Sequence, residues 1–365
     1  MKFYTNLFIF SLLLLLNIQT HATTSINNLQ NLSEEQSKTC INFFNAFKNT
    51  QAKKFVKQII RENYSAGTCN YHPQKNNLDS DSINSKCETF VNTLFSELTT
   101  IQNTPEKLFP LMQKMSRKTI PQNPIWFKEL SQAYEHYKRT YRAQMDNAIL
   151  SPFIAQTSSL VDIGCGGGDF VALLKQTNTQ LQKVAGIDIL DWRTPGLDID
   201  YHVVDFSKEG AKSPAQYDTG LLITVLHHVS ENRDNIKLFL NNAKTAVSKR
   251  LIVLEDVIVQ EQDLAHPKVS QAQALNKKLT QPHFSTFLKF DQETQKAVIS
   301  LIDLLANSLS VGIPEMPFPF GFKPISEWVK IFKECNFEIE HIEILGFIDK
   351  KFNQTSQAIF VLNIL

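Results

Sequence analysis

A chain of 365 residues, 42% apolar and 20% charged, can bury one large α/β core with a smaller companion unit, and is neither disordered nor fibrous in character. Its formal charge of +1 leaves no basic excess to hold nucleic acid or an anionic membrane surface. Five cysteines are too few for a disulfide-built scaffold, and no Cys or His spacing reads as a zinc site, so no metal is expected.

Residues 1–22 stand apart from the rest. Met1-Lys2 is a short positive start, Leu7 to Ile18 is almost wholly apolar, and Thr20-His21-Ala22 offers small residues at a cleavage site, the pattern of a secretory signal. The run is shorter than the roughly 20 residues a spanning helix prefers, which favours cleavage after Ala22 over an anchor through residues 7–18. With Lys2 before the run and Glu34 and Glu35 after it, the body of the protein is expected to be exported, with no transmembrane segment left.

Residues 23–125 read as a smaller helical region. Ser33 with Gln36, and Ser85 with Glu88, have the form of capping boxes. Apolar residues recur at helical spacing behind each: Ile41, Phe43, Phe44, Phe47, Phe55, Val56 and Ile59, then Phe90, Val91, Leu94, Phe95 and Leu98. Ser65 to Asn84, polar and carrying Gly67 and Pro73, reads as a loop; Pro105, Pro110, Pro121 and Pro124 make 104–124 a linker with short helical pieces. In an exported protein a Cys69–Cys87 bridge would close the polar loop; unpaired thiols are the alternative.

A helix from about Pro124 to Ala148 carries Tyr134, His136, Tyr137, Arg139, Tyr141 and Arg142, either a substrate-mouth face or a solvated basic side. Leu160-Val161-Asp162-Ile163 then reads as a buried strand, followed by a turn through Gly164, Gly166, Gly167 and Gly168 into a helix from Asp169. Strand, glycine turn and helix N-terminus together make a cradle for a nucleotide-type ligand. The dinucleotide pattern G-x-G-x-x-G/A fails because Asp169 holds its last place, which disfavours a dehydrogenase, and no Gly-Lys-Ser/Thr follows as in a P-loop. Asp188 ends a second apolar strand 24 positions beyond Gly164, placed to accept hydrogen bonds from ribose hydroxyls. Later strands end at Asp205-Phe206, at Thr224 before Val225-Leu226-His227-His228, and at Glu255-Asp256.

The D-x-G-x-G-x-G stretch of Asp162, Gly164, Gly166 and Gly168 resembles motif I of the class I S-adenosylmethionine-dependent methyltransferases. The resemblance covers about 150–365. It implies a doubly wound, seven-stranded Rossmann-like sheet, a methyltransferase domain over 126–365 with a helical insertion at about 257–314, and S-adenosylmethionine as cofactor. It further implies that Asp205 meets the adenine amino group, that Phe206 packs on the ring, and that the stretch from Leu226 to His228 sits beside the methyl donor. Asn336, where a glycine is usual, tolerates the left-handed conformation of a helix end.

The acceptor expected is a small or lipid-like molecule, because the chain lacks both an Asn/Asp-Pro-Pro-Tyr motif and a basic stripe. His227 or His228 is the candidate base, with walling the pocket as the other role; Glu255 and Asp256 could orient an acceptor or bind nothing. Thr224 at the end of strand four argues against a catechol-type metal site there. The reading from another class is a non-catalytic binding protein that kept the fold, a serious one for an exported chain because the cofactor is made in the cytosol.

Overall fold

The apolar runs that alternate with helical periods beyond residue 158 form one sheet in the computed structural model, which describes residues 32–116, 125, 128–269, 281–308, 318–348 and 352–365. Strands β1 (Ser159–Ile163), β2 (Lys183–Asp188), β3 (Asp200–Val203), β4 (Tyr217–Ile223) and β5 (Val247–Ile258) run parallel. The two-residue β6 (Lys323–Pro324) pairs with the end of β5, while β7 (Phe337–Phe347) and β8 (Ser356–Ile364) are antiparallel. The order β3-β2-β1-β4-β5-β8-β7 reverses direction at β1, so the crevice beyond the carboxyl ends of β1 and β4 is the place where an open α/β sheet binds ligands.

Period-two alternation along the strands feeds two cores, one on each face. Leu160, Val184, Leu221 and Ile252 pack with Val171, Leu174, Leu150 and Ile154. Val161, Ile163, Ala185, Leu222 and Val253 join the other core, with Trp328 and Phe332. The seven-stranded, doubly wound Rossmann-like sheet is thus present, with β6 as an unforeseen addition.

The helices are α1 (Glu34–Lys48), α2 (Thr50–Tyr71), α3 (Ser80–Ile101), α4 (Leu108–Ser116), α5 (Lys128–His136), α6 (Ala143–Ile154), α7 (Asp169–Thr177), α8 (Leu226–Val229), α9 (Arg233–Ala243), α10 (Glu261–Leu264), α11 (Pro282–Phe287), α12 (Gln292–Ser308) and α13 (Ile325–Glu334). Ser33 and Gln36 form the capping box of α1, as read. Ser85 does not cap: α3 starts earlier, on Asp79, whose carboxylate accepts from the Asp81 and Ser82 amides. The expected loop from Ser65 shrinks to 72–79, because α2 continues through Gly67 to Tyr71. Gly67 serves close packing rather than a turn, since a Cβ there would lie 2.7 Å from the Phe352 ring. All five cysteines are free thiols, so Cys69 and Cys87 are unbridged; the buried Cys87 donates to the Arg61 carbonyl at 3.2 Å.

Helix α12, in the expected insertion, is buried on nearly every face. It is packed into the same apolar core as Phe43, Phe47 and Phe55 of the N-terminal helices. Asn49 Nδ2 donates to Thr294 Oγ1 at 3.0 Å, and Thr39 Oγ1 donates to the Phe318 carbonyl at 3.1 Å. Residues 270–280 and 309–317, which include parts of the expected insertion, lie outside the described residues. So does the proposed leader; among the described residues no helix is long and apolar enough to cross a membrane.

Candidate active site

The glycine turn after β1 is tied to the neighbouring strand: the Gly164 and Cys165 amides donate to the Ile187 carbonyl at 2.7 and 3.2 Å. Gly168, at φ +80°, N-caps α7, where a Cβ would fall 2.1 Å from Ile199. Gly166, at φ +53°, has nothing within 4 Å of the place a Cβ would take, so its backbone faces open space. That space is a cavity of about 1140 Å³. Asp162, Gly164, Gly166, Asp188, Asp205, Phe206, His227 and His228 all line it; Gly168 and the fully buried Leu226 do not.

Asp188 holds the turn in shape. Its Oδ2 accepts from the Gly166 amide at 2.8 Å and its Oδ1 from the Ile189 amide at 2.7 Å. Burial pushes its carboxyl above the ordinary range, and these amide bonds pull part of the way back. Asp162 is deeper, 3% exposed, and its Oδ1 has no hydrogen-bond partner among the described residues. Burial first, then the charges of Asp188 and Asp146, raise its carboxyl to about 7 despite Arg142. Asp205 accepts from the Ser207 amide at 3.0 Å, and Phe206 meets Phe239 edge to face at 6.0 Å.

The other end of the cavity is built around a buried imidazole. His227 Nδ1 lies 2.5 Å from Glu255 Oε1, whose carboxylate also accepts from the Leu226 and Asp256 amides, each at 2.8 Å. On its far side His227 Nε2 lies 3.7 Å from Asp303 Oδ1, and His228 Nε2 lies 4.0 Å from the same oxygen. Burial works against a charged His227, yet Glu255 and Asp303 together hold it well above the usual imidazole range. Burial also opposes an ionised Asp303, but the two imidazoles and Asn307 hold it below the usual carboxylate range. Asp256 accepts from Thr355 Oγ1 at 2.6 Å and Gln357 Nε2 at 2.8 Å. Phe322 stacks on His227 and Phe318 meets His228 edge-on, with centroids at 4.7 and 5.5 Å.

The helix before β1 contributes Tyr134, Tyr137, Arg139 and Arg142 to the wall, but not His136 or Tyr141. Between α5 and α6 the chain widens into a π-helical segment, Tyr137–Arg142, a distortion often found at functional sites. Sequence reasoning missed Asp303, Thr355, Gln357 and Thr39, all on the wall. A signal for Asp303 existed: it is the lone acid in the apolar stretch Val298 to Ala306.

A glycine cradle at the switch point of a doubly wound sheet, with acids at successive strand ends, defines a protein that binds a nucleoside-bearing ligand. A family model described as "Methyltransferase domain" matches residues 134–292, spanning β1 to β5. That stretch is thus similar to a methyltransferase domain, which supports S-adenosylmethionine-dependent methylation. The comparison with curated proteins gives no match. Among solved structures, an O-methyltransferase family protein from Burkholderia thailandensis is 11% identical, with 76% of this chain and 72% of that one covered and a TM-score of 0.41. A putative O-methyltransferase from Nostoc punctiforme is 16% identical, covering 88% and 98%, at 0.38. The magnesium protoporphyrin IX methyltransferase of Synechocystis with bound SAH is 14% identical, covering 74% and 99%, at 0.36.

The residues present fit the cofactor. Gly166 leaves backbone open to the cavity, Asp188 keeps lone pairs for hydroxyl donors, and the unpartnered Asp162 Oδ1 is an acceptor in want of a cation or a donor.

Proposed function

We propose that the protein methylates a small, polar acceptor through a hydroxyl group, with S-adenosylmethionine held on Asp162, Gly164, Gly166, Asp188, Asp205 and Phe206. When bound, the cofactor supplies a methyl group already activated on a sulfonium, so the protein's task is orientation and proton handling. The carrying observation is the pairing of imidazole and carboxylate at the end of the cavity opposite Asp188. A hydroxyl gives up a proton as it is methylated, and His228, half-buried on the wall beside the ionised Asp303, is the group to take it. His227, only 1% exposed and bonded to Glu255, positions that pair from behind.

Two features favour a compact acceptor over a long-chain lipid. The cavity exceeds by only a modest margin the roughly 300–1,000 Å³ of single-ligand sites, leaving room for a second small molecule. Of the three phenylalanines just before β6, Phe320 and Phe322 are buried in the core and Phe318 reaches the wall. Export directed by residues 1–22 remains part of this reading, and the N-terminal sequence of the mature protein tests it.

The experiment is a screen of metabolite fractions with cofactor labelled in its methyl group, beside calorimetric titration of S-adenosylmethionine and its demethylated product. Label in a small hydroxylated product, lost in His228→Gln with cofactor binding retained, is expected. Binding of both nucleosides without transfer to any fraction would instead favour a non-catalytic binding protein. Label appearing on nitrogen or carbon would overturn the hydroxyl acceptor.

A further inference from the structure

We propose that His227, His228 and Asp303 bind one divalent transition-metal ion at the inner end of the cavity. Each residue offers one ligand atom, and the three atoms lie within 4.8 Å of one another. Such atoms share a point at most about 2.8 Å from each, so shifts of about 0.6–0.8 Å bring all three to the 2.0–2.2 Å of zinc–nitrogen and zinc–oxygen bonds.

The contacts around His227 give the second argument. A carboxylate only accepts, so Glu255 takes the Nδ1 hydrogen of His227 at 2.5 Å, and the other ring nitrogen, Nε2, faces Asp303 Oδ1. At 3.7 Å they are too far apart for an N–H···O bond and close to the ~3.4 Å between two ligands of a tetrahedral ion. His227 Nε2 and Asp303 Oδ2 are both buried without a hydrogen-bond partner among the described residues.

The outer residues have the form that metal sites use. Glu255 on the far nitrogen of His227 orients the ring and raises its basicity, while Asn307 Nδ2 steadies Asp303 Oδ1 at 2.7 Å. Three buried acids, Glu255, Asp256 and Asp303, gather around the pair and favour a doubly charged cation. Two imidazoles with one carboxylate select zinc, cobalt, nickel or iron over magnesium or calcium. All three ligands line the cavity, which gives the ion an entry path. Metal binding and proton acceptance both call on His228, so an ion held there excludes the proton transfer proposed above; its affinity does not depend on which acceptor is methylated.

The test uses the full chain, stripped with a chelator, then titrated with Zn²⁺ by calorimetry and with Co²⁺ by visible absorption. One ion per chain is expected, with a cobalt band of a low-coordinate nitrogen–oxygen site. Asp303→Asn and His228→Gln should each weaken binding at least tenfold while still binding S-adenosylmethionine, which reports that the variants are folded. No heat and no band, a thiolate charge-transfer band from the cysteines, or unchanged affinity in both variants would overturn the site.

Discussion

Asp162 ties the stability of the protein to pH in a direction opposite to that of most carboxylates. Its carboxyl titrates near 3.8 in an open chain and is raised to about 7 in the fold, first by burial and then by Asp188 and Asp146. Between those two values the folded state binds the proton that the unfolded state has released. By linkage, this stability is fully present below the unfolded value and is lost as pH rises through about 7. A shift of this size corresponds to roughly 4 kcal/mol between pH 4 and pH 8. Asp162→Asn carries an uncharged group of nearly the same shape at every pH. Urea unfolding of both proteins across pH 4–8 therefore gives a difference that grows with pH, the variant gaining on the wild type by up to ~4 kcal/mol. A cationic cofactor beside Asp162 favours the ionised form, so binding near pH 6.5 should release a proton. Calorimetry in buffers of different ionisation enthalpy measures that release, and the variant should lack it. Parallel stability curves for the two proteins would refute the reasoning, because nothing else distinguishes the side chains so strongly.

Asp188→Ala should weaken S-adenosylmethionine binding by ~1–3 kcal/mol. Removing both ribose hydroxyls from the ligand should cost less affinity in the variant than in the wild type, and an equal cost in both would show that Asp188 acts only through the turn. Gly67→Ala should destabilise the fold by ~1–2 kcal/mol despite the better helix propensity of alanine, because Phe352 is hemmed in by Tyr64, Tyr71, Tyr134 and Tyr137. A raised Tm would show that the ring has room. Five thiols per chain should react in denaturant without prior reduction, and reductant should leave Tm unchanged; a resistant pair would contradict the free Cys69 and Cys87. Glu255→Ala strips acceptors from two buried amides and His227, and chemical denaturation should register a loss of about 3–5 kcal/mol.

How far the sequence could be read depended on distance along the chain. The cradle is local: β1, the turn and α7 follow one another within residues 159–177, and each glycine answers a backbone demand visible in its neighbours. Asn336, at φ +55°, met its expected left-handed helix end for the same reason. The N-terminal helices were legible in type but not in extent. Gly67 looks like punctuation in one dimension, and only the Phe352 ring, 285 residues away, gives it a role inside a helix. Likewise, Asp79 displaced Ser85 as a cap because α3 starts nearly two turns sooner than its apolar residues suggest.

The acceptor end is the opposite case, and its chemistry follows from that. His227 follows the end of β4, and Glu255 lies on the adjacent β5 one residue beyond the last β4 pairing, so a parallel sheet alone brings them together. Asp303 arrives on α12 and Thr355 and Gln357 on and beside β8, each from beyond an element whose packing no motif encodes. A cofactor common to a whole family can be held by a short, self-contained cradle. An acceptor particular to one protein is met by side chains recruited from wherever the fold delivers them. On the function proposed here, the residues hardest to foresee are the ones on which specificity would depend. Exchanging Asp303, Thr355 or Gln357 should change which acceptor is methylated well before it changes the affinity for S-adenosylmethionine. Measuring transfer to a panel of acceptors alongside cofactor binding separates those two effects, and a parallel loss of both would place these residues in the cofactor's half of the cavity.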